Sequence, residues 1–142
     1  MGSIPVNKEP LGAQNFHRDW DDLKFVKCFI YIEDVDDGSG PHVYVEKTHH
    51  SRLLNKTCRF SDEKVKLMYP ENNIIKFTGK AGTIFLEDTS GIHKGLMPTK
   101  SKRLILQFVY TLVPIGAYPL PKHKFVGYDD SKVEKYVSRL YI

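Results

Sequence analysis

The chain has 142 residues, of which 41% are hydrophobic and 27% are charged, as is typical of one globular domain spanning 1–142. Its formal charge of +4 comes from scattered Lys and Arg residues, which argues against a nucleic-acid partner. No apolar run reaches the length of a membrane span, so no membrane partner is expected. Cys28 and Cys58 form neither a disulfide framework nor a CxxC motif, which predicts a reducing, cytoplasmic location.

The first part of the chain alternates apolar segments with turn formers. Residues 4–11 contain two prolines and indicate an extended lead-in or an edge strand, because Pro cannot donate to a central ladder. Residues 15–19 predict a strand, and residues 24–33, rich in β-branched and aromatic side chains, predict a second one. Residues 34–41 are dense in turn formers and predict a loop, after which residues 42–46 return as a strand.

The middle of the chain mixes helical and strand signals. Residues 48–55 predict a short helical turn, and residues 61–69 predict a helix capped by Ser61, with acidic residues in its first turn. Three short strands are expected next, at residues 74–78, 83–87 and 92–95.

The last part of the chain carries the longest apolar run, at residues 103–113, which predicts a strand buried between two layers. A Pro-rich connector then leads to a helix predicted at residues 129–140. Its apolar side chains recur at helical spacing and are expected to pack against the sheet: Val133, Tyr136, Val137 and Leu140. With about seven short strands, the pattern favours an all-β sandwich or barrel with a few short helices.

His17-x-Asp19 is the first motif that points to chemistry. Side chains two residues apart in an extended segment point to the same face, so the imidazole and the carboxylate would share one space. Together they are two-thirds of the 2-His-1-carboxylate triad that holds non-heme iron(II). Chance alone would supply a His-x-Asp about 0.4 times in such a composition, so the motif needs a third ligand.

His93 is the best candidate for the third ligand, because a strand and a Gly-containing turn precede it and would bring it back over the first pair. Arg103 follows ten residues later at the start of an apolar segment, where a buried guanidinium needs an anionic partner such as the carboxylate of an organic acid. Of the other histidines, His49 and His50 are expected to be structural or solvated, and His42 and His123 are expected to lie on the surface.

The chain resembles the phytanoyl-CoA dioxygenase family from Gln14 to Thr111. The resemblance rests on His17-x-Asp19, on the run Gly-Thr-x4-Asp-Thr-x-Gly-x-His that ends at His93, and on Arg103. That family consists of iron(II)- and 2-oxoglutarate-dependent oxygenases on a double-stranded β-helix, or jelly roll. The resemblance implies that an all-β jelly roll holds Fe(II), with 2-oxoglutarate, dioxygen and a small organic substrate as partners, and that succinate and CO₂ are released.

Further site residues follow from the resemblance and from strand parity. By resemblance, His17, Asp19 and His93 would hold Fe(II), and Arg103 would pair with the far carboxylate of 2-oxoglutarate. The presence of Asp19 indicates hydroxylation or another oxidation, because related halogenases lack this carboxylate. Five more residues are candidates for cosubstrate or substrate contacts: Phe29, Tyr31, Gln107, Asn15 and Trp20. For Phe29 and Tyr31, core packing is an equally good interpretation, and Trp20 would equally close a surface turn.

Family members have more chain before the His-x-Asp motif, so the domain is expected to be shortened at its N-terminus. An oligomer or a partner chain that completes the fold is therefore expected as one alternative. A second hypothesis for function is a non-catalytic jelly-roll binding or interaction module that retains the metal site. A third interpretation is a β-sandwich in which His-x-Asp is a coincidence.

Overall fold

The described part of the chain forms six antiparallel strands in two facing sheets, with one short helix. The computed structural model describes residues 10–54, 56 and 58–112. The strands are β1 (Phe25–Tyr31), β2 (His42–Val45), β3 (Ile74–Phe77), β4 (Ile84–Glu87), β5 (His93–Gly95) and β6 (Ile105–Thr111), and the helix is α1 (Asp62–Met68). Short 3-10 turns lie at Gly12–Gln14, Asp37–Ser39, Thr48–His50 and Glu71–Asn73.

The strand order identifies a jelly roll. One sheet has the order β4-β1-β6 and the other has the order β3-β2-β5, and every pairing is antiparallel. Strands β2 and β3, which are consecutive in the chain, pair in one sheet. Strands β1 and β4, which precede and follow them, pair in the other sheet. The chain therefore crosses from one sheet to the other and back, as it does in a jelly roll. The expected all-β jelly roll with short helices is confirmed.

Helix α1 covers the outer side of the β3-β2-β5 sheet. Its N-cap is Ser61, whose side chain accepts a hydrogen bond from the Lys64 backbone N–H, and Asp62 and Glu63 occupy the first turn, as the sequence predicts. The main core cluster joins the helix to this sheet and to the segments beside it: Phe16, Val43, Val45, Phe60, Val65, Tyr69 and Ile92.

Two predicted strands differ in the structure. Residues 15–19 form isolated bridges, because Phe16 pairs with Phe60 whereas His17 pairs with His93, and one continuous ladder cannot serve both partners. The strand predicted at 103–113 begins at Ile105 and lies at the edge of its sheet among the described residues. The prediction of burial between two layers was wrong, because most side chains of this strand are exposed. Phe108 and Tyr110 are largely exposed on its outer side.

Some predictions fall outside the described residues: most of the lead-in at 4–11, the Pro-rich connector, the helix at 129–140 and His123. Within the described ranges, no helix has the length and hydrophobicity that a membrane crossing requires.

Candidate metal centre

The structure brings His17, Asp19 and His93 together on the inner side of the β3-β2-β5 sheet. His17 and His93 exchange backbone hydrogen bonds of 2.9 and 3.0 Å, which fixes the two histidines side by side. His17 Nε2 lies 3.5 Å from Asp19 Oδ1, and His93 Nε2 lies 3.3 Å from Asp19 Oδ2. One potential ligand atom from each residue falls within 4.8 Å of the others, so the three side chains could hold one metal ion.

Backbone carbonyls orient both histidine rings. His17 Nδ1 lies 2.8 Å from the Asn15 carbonyl oxygen, and His93 Nδ1 lies 3.0 Å from the Gly91 carbonyl oxygen. A carbonyl can only accept, so each Nδ1 donates its proton to the backbone, and Nε2 is the nitrogen that each ring turns toward Asp19. Burial, followed by the nearby His93, lowers the pKa of His17 to about 4, so this ring is neutral at neutral pH.

Lys27 on β1 reaches across from the facing sheet to the carboxylate of the triad. Its Nζ lies 2.6 Å from Asp19 Oδ2 and 2.7 Å from Asp21 Oδ2. Burial alone would raise the pKa of Asp19, but the hydrogen bond and charge of His93 and the ammonium of Lys27 outweigh it, so the pKa lies well below its ordinary value. The Asp19 carboxylate is therefore anionic over the whole neutral range.

Arg18, between two members of the triad, points to the opposite side and fastens the segment to the rest of the fold. Its buried guanidinium donates hydrogen bonds to five backbone carbonyl oxygens, those of Thr48, Ser51, Leu53, Leu54 and Ser90. These bonds tie residues 48–54 and the turn before His93 to the His17–Asp19 segment. The position of the triad therefore depends on a side chain that does not face it.

His42 and Glu87 form a second buried pair behind His93. The His42 ring stacks on the His93 ring at 5.5 Å between centroids, and His42 Nε2 lies 2.8 Å from Glu87 Oε2. Burial lowers the pKa of His42 to about 3 and raises the pKa of Glu87 to about 8, so the pair is neutral at neutral pH. The prediction that His42 is a surface residue was wrong, because His42 points inward from a strand whose two faces are both covered.

The triad opens into a cavity of about 660 Å³ between the two sheets. Phe29, Arg103 and Gln107 line it together with the triad. Among the described residues, Arg103 Nη1 is buried without a hydrogen-bond partner, and burial lowers the pKa of this guanidinium. An unpaired buried donor of this kind is costly unless an acceptor fills the space beside it. An anion in the cavity could accept a hydrogen bond from this donor.

Gly95, two residues after His93, leaves the space that this guanidinium occupies. A Cβ built on Gly95 would lie 2.6 Å from Arg103 Nη2, which is closer than real Cβ contacts allow. The absence of a side chain at Gly95 therefore leaves room for the Arg103 guanidinium at this position.

Three other candidates from the sequence do not line the cavity in the described part of the chain. The Asn15 side-chain amide donates to the Pro10 carbonyl oxygen. The Asn15 backbone carbonyl oxygen is the acceptor for His17 Nδ1. The Trp20 side chain is 56% exposed, and Tyr31 is fully buried, with its hydroxyl donating to the Phe77 carbonyl. Tyr31 shares the face of Phe29 but lies beyond the end of the cavity, in the aromatic core.

Sequence reasoning missed Lys27, Arg18 and the His42–Glu87 pair. Strand parity offered a signal for Arg18, since a residue between two site residues must point the other way, into the core. Parity also places Lys27 on the face of Phe29, but nothing local in the sequence shows which carboxylate Lys27 would meet on the facing sheet.

The chain is similar to solved structures of HygX from Streptomyces hygroscopicus. The apo structure is 17% identical, with a TM-score of 0.44, over 60% of this chain and 36% of that chain. The structure with nickel, 2-oxoglutarate and hygromycin B bound is 16% identical, with a TM-score of 0.44, over 60% of this chain and 34% of that one. The iron-bound structure is 13% identical, with a TM-score of 0.45, over 67% of this chain and 50% of that one.

The chain therefore spans only a third to a half of the HygX chain, and likeness at this level does not carry an activity across. No family model matches the chain, and no curated protein matches it. Membership of the phytanoyl-CoA dioxygenase family stays a prediction from the motif.

Proposed function

We propose that the chain is an iron(II)- and 2-oxoglutarate-dependent dioxygenase that oxidises a small organic molecule. One observation carries the proposal: a His-Asp-His triad shares a cavity with a half-buried arginine, Arg103, whose buried Nη1 has no partner among the described residues. The donor set fits Fe(II), because two imidazoles and one carboxylate on one side would leave other coordination positions free. The free guanidinium donor fits the far carboxylate of 2-oxoglutarate.

When bound, iron(II) and 2-oxoglutarate would supply the oxidation of a substrate C–H bond by dioxygen, with release of succinate and CO₂. The chain's own residues provide the rest. His17 and His93 present their Nε2 atoms because their Nδ1 protons are committed to backbone carbonyls. Lys27 holds the Asp19 carboxylate in place, and Arg103 would orient the cosubstrate by its remote end. Phe29 and Ile105 give the cavity apolar walls that limit the access of water.

The alternative, a non-catalytic binding module that retains the metal site, explains the triad but does not explain the buried Arg103 Nη1. The Arg103 Nη1 donor, which has no partner in the described part of the chain and lines the same cavity as the triad, favours the oxygenase, because burying this donor without a ligand would only destabilise the fold.

Anaerobic reconstitution with Fe(II), followed by 2-oxoglutarate and air, tests the proposal. We expect succinate to form slowly even without substrate, and His93→Ala to abolish it. His50→Ala, which changes an exposed histidine outside the triad, is the matched control and should retain succinate formation. The proposal fails if the wild-type chain forms no succinate and shows no metal-dependent absorption. Metal binding without binding of 2-oxoglutarate in calorimetry would instead support the binding module.

A further inference from the structure

His42 and Glu87 are buried ionisable residues to which the proposed function gives no role. Both residues are 5% exposed, and buried polar groups of this kind are costly unless they are paired or bind a ligand. His42 also lines the cavity that the triad shares with Arg103. A buried pair with one member at a ligand cavity is a candidate for a binding function.

His42 lies between the metal centre and Arg103. In the β2–β5 ladder, His42 is directly opposite Gly95, and the Arg103 guanidinium occupies the space beside Gly95. The His42 ring also stacks on the ring of the metal ligand His93, at 5.5 Å between centroids. A molecule that reaches from the metal ion to Arg103 would therefore pass His42.

The orientation of the His42 ring is fixed by its neighbours. Nε2 lies 2.8 Å from Glu87 Oε2 and 3.1 Å from Glu87 Oε1. The ring packs against the rings of Phe29, at 4.9 Å between centroids, and of His93, which limits its rotation. Because Nε2 is held by Glu87, Nδ1 is the ring nitrogen available to a ligand.

His42 Nδ1 is accessible from the cavity. No hydrogen bond joins this atom to a described residue, and yet it is not one of the fully buried polar atoms that lack a partner. Nδ1 therefore keeps accessible surface, and the open space that His42 lines is the cavity.

Glu87 determines which ring nitrogen of His42 carries the proton. Burial raises the pKa of the Glu87 carboxyl to about 8, so the protonated acid can donate its hydroxyl hydrogen to Nε2. A neutral imidazole has one proton, which then resides on Nδ1. Nδ1–H is thus a donor for a ligand oxygen.

We propose that His42 Nδ1–H donates a hydrogen bond to an oxygen of bound 2-oxoglutarate, and that Glu87 is the positioning residue for this donor. The inference rests on the proposed function and adds a contact to the cosubstrate between the metal ion and Arg103. The Glu87 carboxyl acts only through the His42 ring.

Calorimetry of the Ni(II)-loaded full chain measures this contact. His42→Phe keeps a ring against Phe29 and His93 but removes Nδ1. We expect it to bind 2-oxoglutarate about 10-fold more weakly, with unchanged affinity for Ni(II). His50→Phe makes the same exchange at an exposed histidine and should bind 2-oxoglutarate as the wild type does.

Two variants of Glu87 separate positioning from packing. In Glu87→Gln the side-chain amide can donate to His42 Nε2 as the acid does, so the affinity for 2-oxoglutarate should stay within about 3-fold of the wild type. Glu87→Leu cannot donate and should lose about as much affinity as His42→Phe. The double variant of His42→Phe with Glu87→Leu should bind no more weakly than His42→Phe alone, because both changes remove one contact.

The ring nitrogens can also be observed in the unmodified chain, which avoids any loss of folding in a variant. In the Zn(II)-loaded protein, ¹⁵N NMR of the histidine rings should show that His42 carries its proton on Nδ1. Addition of 2-oxoglutarate should shift this Nδ1 resonance, and the exposed His50 should be unaffected.

The inference is overturned if His42→Phe binds 2-oxoglutarate as tightly as the wild type, or if the His42 Nδ1 resonance does not move on binding. The proposed function is unaffected by either result, because the wild type still binds the cosubstrate. Failure of the metal-loaded wild type to bind 2-oxoglutarate would instead overturn both.

Discussion

Two arginines with opposite hydrogen-bonding states explain much of the site at the scale of single residues. Arg18 donates to five backbone carbonyls, whereas Arg103 keeps a buried Nη1 without a partner among the described residues. A satisfied guanidinium stabilises the fold, and an unsatisfied donor could bind an anion, as we propose for Arg103. The sequence predicts an anionic partner for Arg103, whereas the role of Arg18 emerges only from the structure.

Replacing Arg103 tests its role as an anion site. We expect Arg103→Ala to weaken 2-oxoglutarate binding to the metal-loaded protein by about 10- to 100-fold, because a hydrogen bond to a charged group contributes about 1.5–3 kcal/mol. Calorimetry measures the effect. Lys102→Ala removes a neighbouring, exposed cation of the same cavity and should change affinity by less than about 3-fold. Equal losses in both variants would show that only the general positive charge matters.

Gly95→Ser tests the space that Gly95 leaves for Arg103. The new Cβ would meet the guanidinium at 2.6 Å, and the flexible Arg103 side chain would move rather than the backbone. We therefore expect weaker 2-oxoglutarate binding with unchanged metal affinity and little change in folding stability. A variant that binds 2-oxoglutarate as tightly as the wild type would contradict this role of Gly95.

At the scale of secondary structure, the Arg18 side chain joins the His17–Asp19 segment to residues 48–54 and to the turn before β5. We expect Arg18→Ala to destabilise the chain by about 3–5 kcal/mol, because it leaves several buried carbonyls without donors. Arg18→Lys should recover less than half of the loss, since an ammonium has three donors and lacks the guanidinium fork. Urea denaturation measures both effects.

Arg52→Ala is the matched control for this prediction, because Arg52 lies exposed on the same loop. It should cost less than about 0.5 kcal/mol. A similar loss in Arg52→Ala and Arg18→Ala would contradict the specific role of the carbonyl contacts.

The sequence predicts elements well where local pattern alone decides them. Helix α1 and its Ser61 cap could be predicted, since side-chain capping acts within a few residues. The burial of β6 could not, because an apolar run does not show whether a strand has neighbours on both edges and both faces. His42 was missed for the same reason, since its inward direction depends on which sheet faces it.

The triad was foreseeable because His17-x-Asp19 is a local pattern and the residues before His93 form a local strand and turn. Two residues in extended backbone share a face, and a strand with a turn returns His93 beside them. Lys27 could not be assigned, because it meets Asp19 only after two sheets have packed face to face.

Metal binding should stabilise the molecule as a whole. The triad joins the segment before β1 to β5, and these lie far apart in sequence. A ligand at 100 times its Kd adds about 2.7 kcal/mol to the free energy of unfolding, so Ni(II) should raise the Tm by roughly 5–10 °C. Thermal unfolding with and without EDTA measures this shift.

His93→Ala should abolish the metal-dependent shift, and His50→Ala should retain it. If the His93→Ala variant shows the full shift, the ion binds elsewhere on the chain.

The acceptors that orient the two histidine rings are carbonyl groups of the ligands' own chain, each two residues upstream, at Asn15 and Gly91. These acceptors belong to the peptide backbone, so no exchange of one side chain for another deletes them. Alanine substitution of Asn15 would therefore keep the acceptor that orients the His17 ring. During divergence these acceptors are inherited with the course of the chain, as long as side chains such as Arg18 keep that course in place.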